Sequence, residues 1–118
     1  FSKKLYMKKK YLKNMISNGM HIGGHGFNHI RLGLSKKKLQ DREINETKKF
    51  LKYLGANIND WVMCYPYGNF NNLTKKILKK NNCKIALTVK DGIADFDKMD
   101  LLEISRIDTN KIELKNFT

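Results

Sequence analysis

The chain has 118 residues, which is enough for one domain at most because domains typically contain ~100–150 residues. Lys and Arg number 24 against 11 Asp and Glu, for a formal net charge of +13, and 41% of the residues are hydrophobic. No apolar run approaches the ~20 residues of a membrane-spanning helix, and recurrent Leu, Ile and aromatic residues exclude wholesale disorder.

Helix-like and strand-like segments alternate in the first half of the chain. Residues 3–18 are basic with a partial apolar stripe, which predicts a helix that ends before Gly19. Residues 20–25 predict a short strand that leads into a loop. Residues 35–54 predict a second helix with Ser35 as its N-cap. We expect its buried side to be formed by Leu39, Thr47, Phe50, Leu51 and Leu54.

The same alternation continues to the end of the chain. Residues 61–65 form an apolar run that predicts a buried strand, Asn71 predicts the cap of a third helix through residue 80, and residues 84–89 and 101–107 predict two further strands. Such alternation is typical of an α/β fold with a parallel sheet. Four strands do not close a barrel, so we expect either a small open α/β domain or a piece of a larger one, and Phe1 in place of Met favours the piece.

All three histidines fall within nine residues, at positions 21, 25 and 29. The surrounding glycines disfavour a helix, and in an extended strand four residues span about 13 Å, too far for two imidazoles to share a metal. Because the chain can turn at residues 24–26, we expect His25 and His29 to form a metal-binding pair and His21 to be a side-wall or core residue. Two histidines do not complete a catalytic zinc site, which normally has three protein ligands.

A carboxylate is the expected third ligand. Asp41 and Glu43 fall on the second predicted helix, where we expect them to face solvent. Asp108, after the last predicted strand, is therefore the better candidate within the chain. Cys64 and Cys83 lack the paired spacing of a zinc–thiolate site and are expected to be buried free thiols.

The single proline lies in the sequence CYPYG at residues 64–68, directly after a predicted strand. Loops at the carboxyl ends of parallel strands build the sites of α/β enzymes, so this loop is expected beside the histidines. Pro66 and Gly68 are also the residues of a rigid turn. Tyr65 and Tyr67 add aromatic faces that can stack on sugar rings or fill a core.

These two segments together resemble motifs of the polysaccharide deacetylases, a family of metal-dependent carbohydrate esterases. Residues 19–29, GMHIGGHGFNH, are similar to the family's Gly-x-Glu-Ile-Gly-x-His-(Thr/Ser)-x-x-His passage, and residues 64–68 are similar to its Arg-x-Pro-Tyr-Gly loop. The resemblance covers essentially residues 1–118, which it identifies as a partial domain. The implied fold is an incomplete, distorted (β/α) barrel of alternating parallel strands and helices.

The resemblance implies a role for each matching residue. His25 and His29 would be the imidazole ligands of a divalent metal, usually Zn²⁺. Tyr67 would offer its backbone N–H to the oxyanion of the tetrahedral intermediate, while Pro66 and Gly68 would shape the loop beside Tyr65. The implied activity is removal of N-acetyl groups from an amino-sugar polysaccharide or glycan precursor.

The sequence also departs from the family pattern. The family's Asp-Asp motif, which gives the general base and the third metal ligand, is absent because no Asp or Glu precedes His21. Cys64 replaces the usual Arg, and Gly26 stands where Thr or Ser is common. Arg106 lies where the general-acid histidine is expected and could stabilise charge, but it is no ordinary proton donor. We therefore expect weak metal affinity and little or no activity, and a second copy could cover the incomplete barrel.

Two other functions stay open at this point. In a non-catalytic carbohydrate-binding domain, the histidines would be structural and Tyr65, Tyr67 and Phe70 would form a sugar platform. A nucleic-acid binder would use the +13 charge. However, 21 of the 24 basic residues are Lys, whereas recognition of bases favours Arg, so specific nucleic-acid binding is not expected.

Overall fold

A computed structural model describes residues 5–112. Within this range, helix α1 spans Lys9–Ser17, α2 spans Lys37–Leu54 and α3 spans Asn72–Lys80. Helix α1 is shorter than the predicted 3–18, and residues 3 and 4 of that prediction lie outside the described residues. None of these helices is long and apolar enough to cross a membrane.

The helix ends follow local chemistry. Asn71 caps α3, because its side chain accepts a hydrogen bond from the Thr74 amide while the Thr74 hydroxyl accepts one from the Asn71 amide. Gly55 ends α2 with φ 90°, a left-handed conformation that glycine adopts without a steric penalty. The predicted Ser35 cap is wrong. Its hydroxyl donates to the carbonyl of Arg31 (2.8 Å), and the helix begins two residues later.

Three parallel strands form one sheet in the order β1 Trp61–Cys64, β2 Cys83–Asp91, β3 Ile104–Arg106. This confirms the predicted α/β class with a parallel sheet. The predicted strand at 20–25 is reduced to a single bridge, in which Gly24 pairs with Met63 of β1. The bridge places the histidine segment beside β1, on the side away from β2.

A continuous core lies between the sheet and helices α2 and α3. It is formed by these fully buried side chains: Leu32, Ile44, Trp61, Met63, Leu78 and Ala86. Gly24 is required where the histidine segment crosses this core, because a Cβ atom there would lie 2.6 Å from Thr47 Cγ2 and 2.9 Å from the Trp61 ring.

The buried face of α2 differs from the predicted one. Leu39 is 40% exposed, and the buried residues are Gln40, Glu43, Ile44, Thr47, Leu51 and Leu54. This set follows the three- and four-residue spacing of one helix face, and it includes Gln40 and Glu43, which a search for apolar side chains overlooks. Phe50, expected on the buried side, is only partly buried. Burial of Glu43 is the feature of α2 that bears on the site.

Candidate metal and substrate site

His25 and His29 meet at the carboxyl end of the sheet. Their Nε2 atoms are 3.0 Å apart and their ring centroids 4.7 Å apart. A turn at residues 26–28 separates them, with Gly26 at φ 75°. The chain therefore bends between these two residues, and both imidazoles point to a common position.

A backbone contact fixes the orientation of the His25 ring. Its Nδ1 atom lies 2.8 Å from the carbonyl oxygen of Cys64. Because a carbonyl oxygen can only accept, Nδ1 carries the proton and, in the neutral ring, the lone pair is on Nε2, facing His29. Because the contact uses the backbone carbonyl of residue 64, it does not depend on whether the side chain there is cysteine or the Arg that is usual in the family.

Two imidazole nitrogens in this arrangement suit a zinc ion. Zn–N bonds of ~2.0–2.1 Å in tetrahedral geometry place two ligand nitrogens about 3.3 Å apart, close to the observed separation. A hydrogen bond from the second ring nitrogen of a ligating histidine to a carbonyl is also a common support of metal sites. His25 has such a bond.

The described residues do not supply the third ligand. Within residues 5–112, no group of three His, Cys, Asp or Glu side chains is placed to hold an ion. The expectation for Asp108 is not met, because its exposed carboxylate accepts a hydrogen bond from the Asn110 amide (2.9 Å) and caps the short turn at Thr109–Lys111. The described residues thus offer two imidazole nitrogens at a position where a catalytic zinc site normally has three protein ligands.

Tyr67 packs against the histidine pair. Its ring centroid lies 4.7 Å from that of His29, and the Arg31 guanidinium lies 5.0 Å from it. His29 and Tyr67 both adopt left-handed backbone conformations, with φ 55° and 58°. Such values are uncommon for residues other than glycine and concentrate at functional sites.

The Pro66–Gly68 turn closes against two neighbouring segments. A Cβ atom on Gly26 would lie 3.1 Å from Pro66 Cγ, so the proline contacts the histidine turn. A Cβ on Gly68 would clash with Val89 of β2 at 2.3 Å. The amide of Gly68 donates to the Tyr65 carbonyl, and that of Asn69 donates to the Pro66 carbonyl. These contacts hold Tyr67 beside the histidines.

Tyr65 is a buried anchor of this loop and not a surface for sugar. It is 1% exposed, and its hydroxyl donates to the Leu102 carbonyl (2.8 Å) while its ring stacks on Phe70. Burial raises the pKa of Tyr65 well above its ordinary value. The predicted platform of Tyr65, Tyr67 and Phe70 is therefore wrong, and of these three rings only that of Tyr67 is strongly exposed, at 57%.

Sequence reasoning also missed the role of Glu43. We expected it to face solvent, whereas it is fully buried and accepts three hydrogen bonds from Phe27 and Asn28. One signal was available in the sequence. Glu43 lies on the same helical spacing as Ile44, Thr47 and Leu51, and a carboxylate on a buried face requires donors.

Arg106 lies on the other side of the loop. It lines a cavity of about 340 Å³ with Val89 and Asp108, and its Nε donates to the Thr88 carbonyl (2.6 Å). Val89 also contacts Gly68, so this cavity adjoins the Tyr67 loop. The structure gives no contact between Arg106 and the histidine pair.

His21 is separate from the pair. It is exposed and lies beside Ile16 and Asn57, near the opposite end of the histidine segment. It is therefore not a core residue, and it provides a natural control for tests of the other two histidines.

A family model named polysaccharide deacetylase matches residues 2–93. The chain belongs to the polysaccharide deacetylase family. The matched range contains both histidines, the Tyr67 loop and Glu43, whereas Arg106 and Asp108 lie beyond it.

Individual relatives agree with this membership. The chain is 24% identical over 95 residues to YxkH of Bacillus subtilis (strain 168), whose name assigns it provisionally to the polysaccharide deacetylases, and covers 34% of that protein and 80% of its own length. The structure of the Streptococcus pyogenes deacetylase PplD in complex with acetate has a TM-score of 0.76 and 32% identity, over 86% of this chain and 44% of that one. This deacetylase-family chain thus spans less than half the length of either relative.

A third relative was solved as a CE4 family pseudoenzyme, BA3943 from Bacillus anthracis. Its TM-score is 0.61 at 14% identity, over 70% of this chain and 29% of the other. At this identity the likeness concerns the fold alone. The shared fold is thus found in proteins described as active and as inactive, and activity depends on which site residues a chain carries.

Proposed function

We propose that this chain provides part of the site of a metal-dependent hydrolase that removes N-acetyl groups from an amino-sugar polysaccharide or glycan precursor. The observation that supports it most is the 3.0 Å approach of the two imidazole Nε2 atoms, with the tautomer of His25 set by the Cys64 carbonyl. When bound, a divalent ion, Zn²⁺ by the chemistry of this donor set, would polarise the acetamide carbonyl and activate a water molecule.

The other residues then have defined tasks. His25 and His29 hold the cation. The Tyr67 backbone N–H donates to the oxyanion, a role supported by the packing of the Tyr67 ring against His29, with 4.7 Å between the ring centroids. Pro66 and Gly68 fix that loop. Arg106, across Val89, stabilises negative charge without transferring a proton.

Residues 1–118 form, in this proposal, a partial deacetylase domain and an incomplete (β/α) barrel. The segment at Gly24 bonds to β1 on one side, through Gly24 N to the Val62 carbonyl and Cys64 N to the Gly24 carbonyl. On its other side, a cavity of about 430 Å³ is lined by His25 and by apolar residues including Leu12, Phe50 and Leu54. This edge is suited to a further strand, from a longer chain or from a second copy, and the third ligand and general base would enter with it.

Zinc titration by calorimetry tests the proposal. His29→Ala is expected to reduce zinc affinity by roughly tenfold or more, because it removes one of two ligands. His21→Ala is the matched control and is expected to leave the affinity unchanged within about twofold. Equal affinities for all three proteins would overturn the metal site.

Catalysis is expected to be weak in this chain. Acetate release from N-acetylglucosamine oligomers should be little or none, because the described residues contain neither a third ligand nor a carboxylate base beside the pair. Robust release that persists in the presence of a chelator would contradict the metal-dependent mechanism.

A carbohydrate-binding domain without catalysis is the second candidate. The exposed Tyr67 ring, backed by Arg31, is the observation that favours it. Loss of glycan binding by Tyr67→Ala, with no effect of a chelator, would select this function.

A further inference from the structure

Glu43 is a buried carboxylate whose hydrogen bonds all come from the turn between the two histidines. Its Oε2 accepts from the backbone amides of Phe27 (3.0 Å) and Asn28 (2.7 Å), and its Oε1 accepts from Asn28 Nδ2 (2.6 Å). The residue is 0% exposed, and within residues 5–112 no Lys or Arg forms an ion pair with it. The charge is therefore stabilised by these three donors.

The three bonds fix the shape of the turn. A single Glu43 oxygen accepts from two successive backbone amides, so both N–H groups point towards α2. The next residue, His29, has φ 55°. A Cβ on Gly26 would lie 3.8 Å from Glu43 Oε2 and 3.1 Å from Pro66, so the carboxylate and the proline confine the start of the turn. The carboxylate thus lies under the segment that determines where the His29 ring sits relative to His25.

The turn requires an acceptor at this position. All three partners present N–H groups to Glu43, and an ionised carboxylate only accepts. A glutamine could keep the two backbone bonds through its oxygen and pair its NH₂ with the Asn28 side chain once that amide turns its oxygen inward. An apolar residue would leave the Phe27 and Asn28 amides without this acceptor.

We propose that Glu43 is a positioning residue that sets the separation of the two imidazoles and thereby the affinity of the site for a divalent cation. It acts through the backbone of the turn and is not itself a ligand. The inference rests on the metal site of the proposed function, and it adds a residue of α2 to a site otherwise built from loops.

A double-mutant cycle with zinc alone tests it. Glu43→Leu is expected to weaken zinc binding by roughly tenfold, at the lower end of the effect of losing an outer partner of a metal site, because both backbone amides lose their acceptor. Glu43→Gln is expected to bind zinc within about threefold of the original, because its oxygen accepts from the two amides and the Asn28 amide can turn its oxygen to the glutamine NH₂. Asn28→Asp alone is expected to weaken zinc binding, because it places a second carboxylate against Glu43. In the double variant E43Q/N28D, the glutamine oxygen accepts from the two amides and its NH₂ donates to Asp at position 28, so affinity should return to within about threefold of the original.

Thr74→Val, a change on α3, is the control for loss of a buried hydrogen bond to another residue of α2. Thr74 is fully buried and donates to Gln40 (2.6 Å), and loss of this bond should lower the unfolding temperature without changing zinc affinity.

Amide hydrogen exchange gives a second measurement, which needs no metal. Exchange at Phe27 and Asn28 should accelerate in Glu43→Leu and stay near the original rate in the double variant E43Q/N28D.

The outcomes separate the two proposals. If the unaltered chain binds no zinc, the proposed function fails, while the exchange rates still report on the Glu43 contacts. If the unaltered chain binds zinc and Glu43→Leu binds it equally well, or the double variant binds no better than Asn28→Asp, the positioning role is overturned. Should Glu43→Leu not fold, Asn28→Ala removes one of the three bonds at an exposed residue, and unchanged affinity there would also count against the role.

Discussion

Two regions at the carboxyl end of the sheet differ in how firmly their side chains are held. On the histidine side, His25 is tied to the Cys64 carbonyl, and the turn to His29 is bonded to a buried carboxylate. On the other side, Arg106 lines an open polar cavity and is held by one bond to the Thr88 carbonyl. The comparison teaches that backbone carbonyls and amides, together with the buried Glu43 carboxylate, organise the histidine side.

The largest effect on the free energy of unfolding is expected at Gly24, where the histidine segment meets the core. Gly24→Ala would place a methyl group 2.6 Å from Thr47 Cγ2 and 2.9 Å from the Trp61 ring, so we expect a loss of about 1–3 kcal/mol in the free energy of unfolding. Chemical denaturation measures this loss. Gly19→Ala meets no atom within 4 Å at φ 83° and gives, for comparison, the cost of a left-handed backbone without a close contact. No loss in Gly24→Ala would show that the neighbouring side chains relieve the close contact.

A smaller effect is expected at the bond that links the two regions. Tyr65→Phe removes the donor to the Leu102 carbonyl, just before β3, and leaves that buried acceptor unpaired. We expect a loss of about 1–2 kcal/mol, measured by thermal unfolding. Tyr53→Phe, at an exposed ring, is the control. Little difference between the two variants would mean that the loop and the β3 side are not coupled through Tyr65.

The smallest effect on stability is expected at the ion pairs that Lys75 forms with Asp100 and Glu103, just before β3. The Leu102 amide and then Lys75 hold the pKa of Asp100 below its ordinary value of 3.8. The folded state therefore favours the charged form, and this stabilisation is complete above about pH 4 and is lost as the pH falls through the lowered pKa. Asp100→Asn should flatten this acid-side decline in unfolding temperature. An unchanged pH profile would exclude the contribution of Asp100.

Local chemistry made part of the fold predictable. Asn71 and Gly55 mark helix ends through interactions within a few residues, and the apolar runs at β1 and β2 identify buried strands. The Ser35 cap failed because a second local acceptor, the Arg31 carbonyl, competes for the same hydroxyl. The segment at Gly24 is extended without being a strand, since a single bridge is all that joins it to β1.

The site was predictable only in part, for a different reason. Glycines around His25 and His29 indicated a turn, and the structure places their nitrogens together. The supporting residues could not be found in this way, because Glu43 lies fourteen positions beyond His29 and its partners are backbone amides with no sequence signature. Tyr65 and Tyr67 are equally aromatic in the sequence, and the turn at Pro66 sends one ring inward and the other outward.

The left-handed conformations of His29 and Tyr67 have a consequence for how this fold can change. Each departs from the ordinary backbone region at a cost of roughly 1–2 kcal/mol, a cost that glycine does not incur. Replacing His29 or Tyr67 by glycine would remove this cost and thereby raise the free energy of unfolding. The folded chain thus gives up stability at the two residues whose rings contact each other in the candidate site.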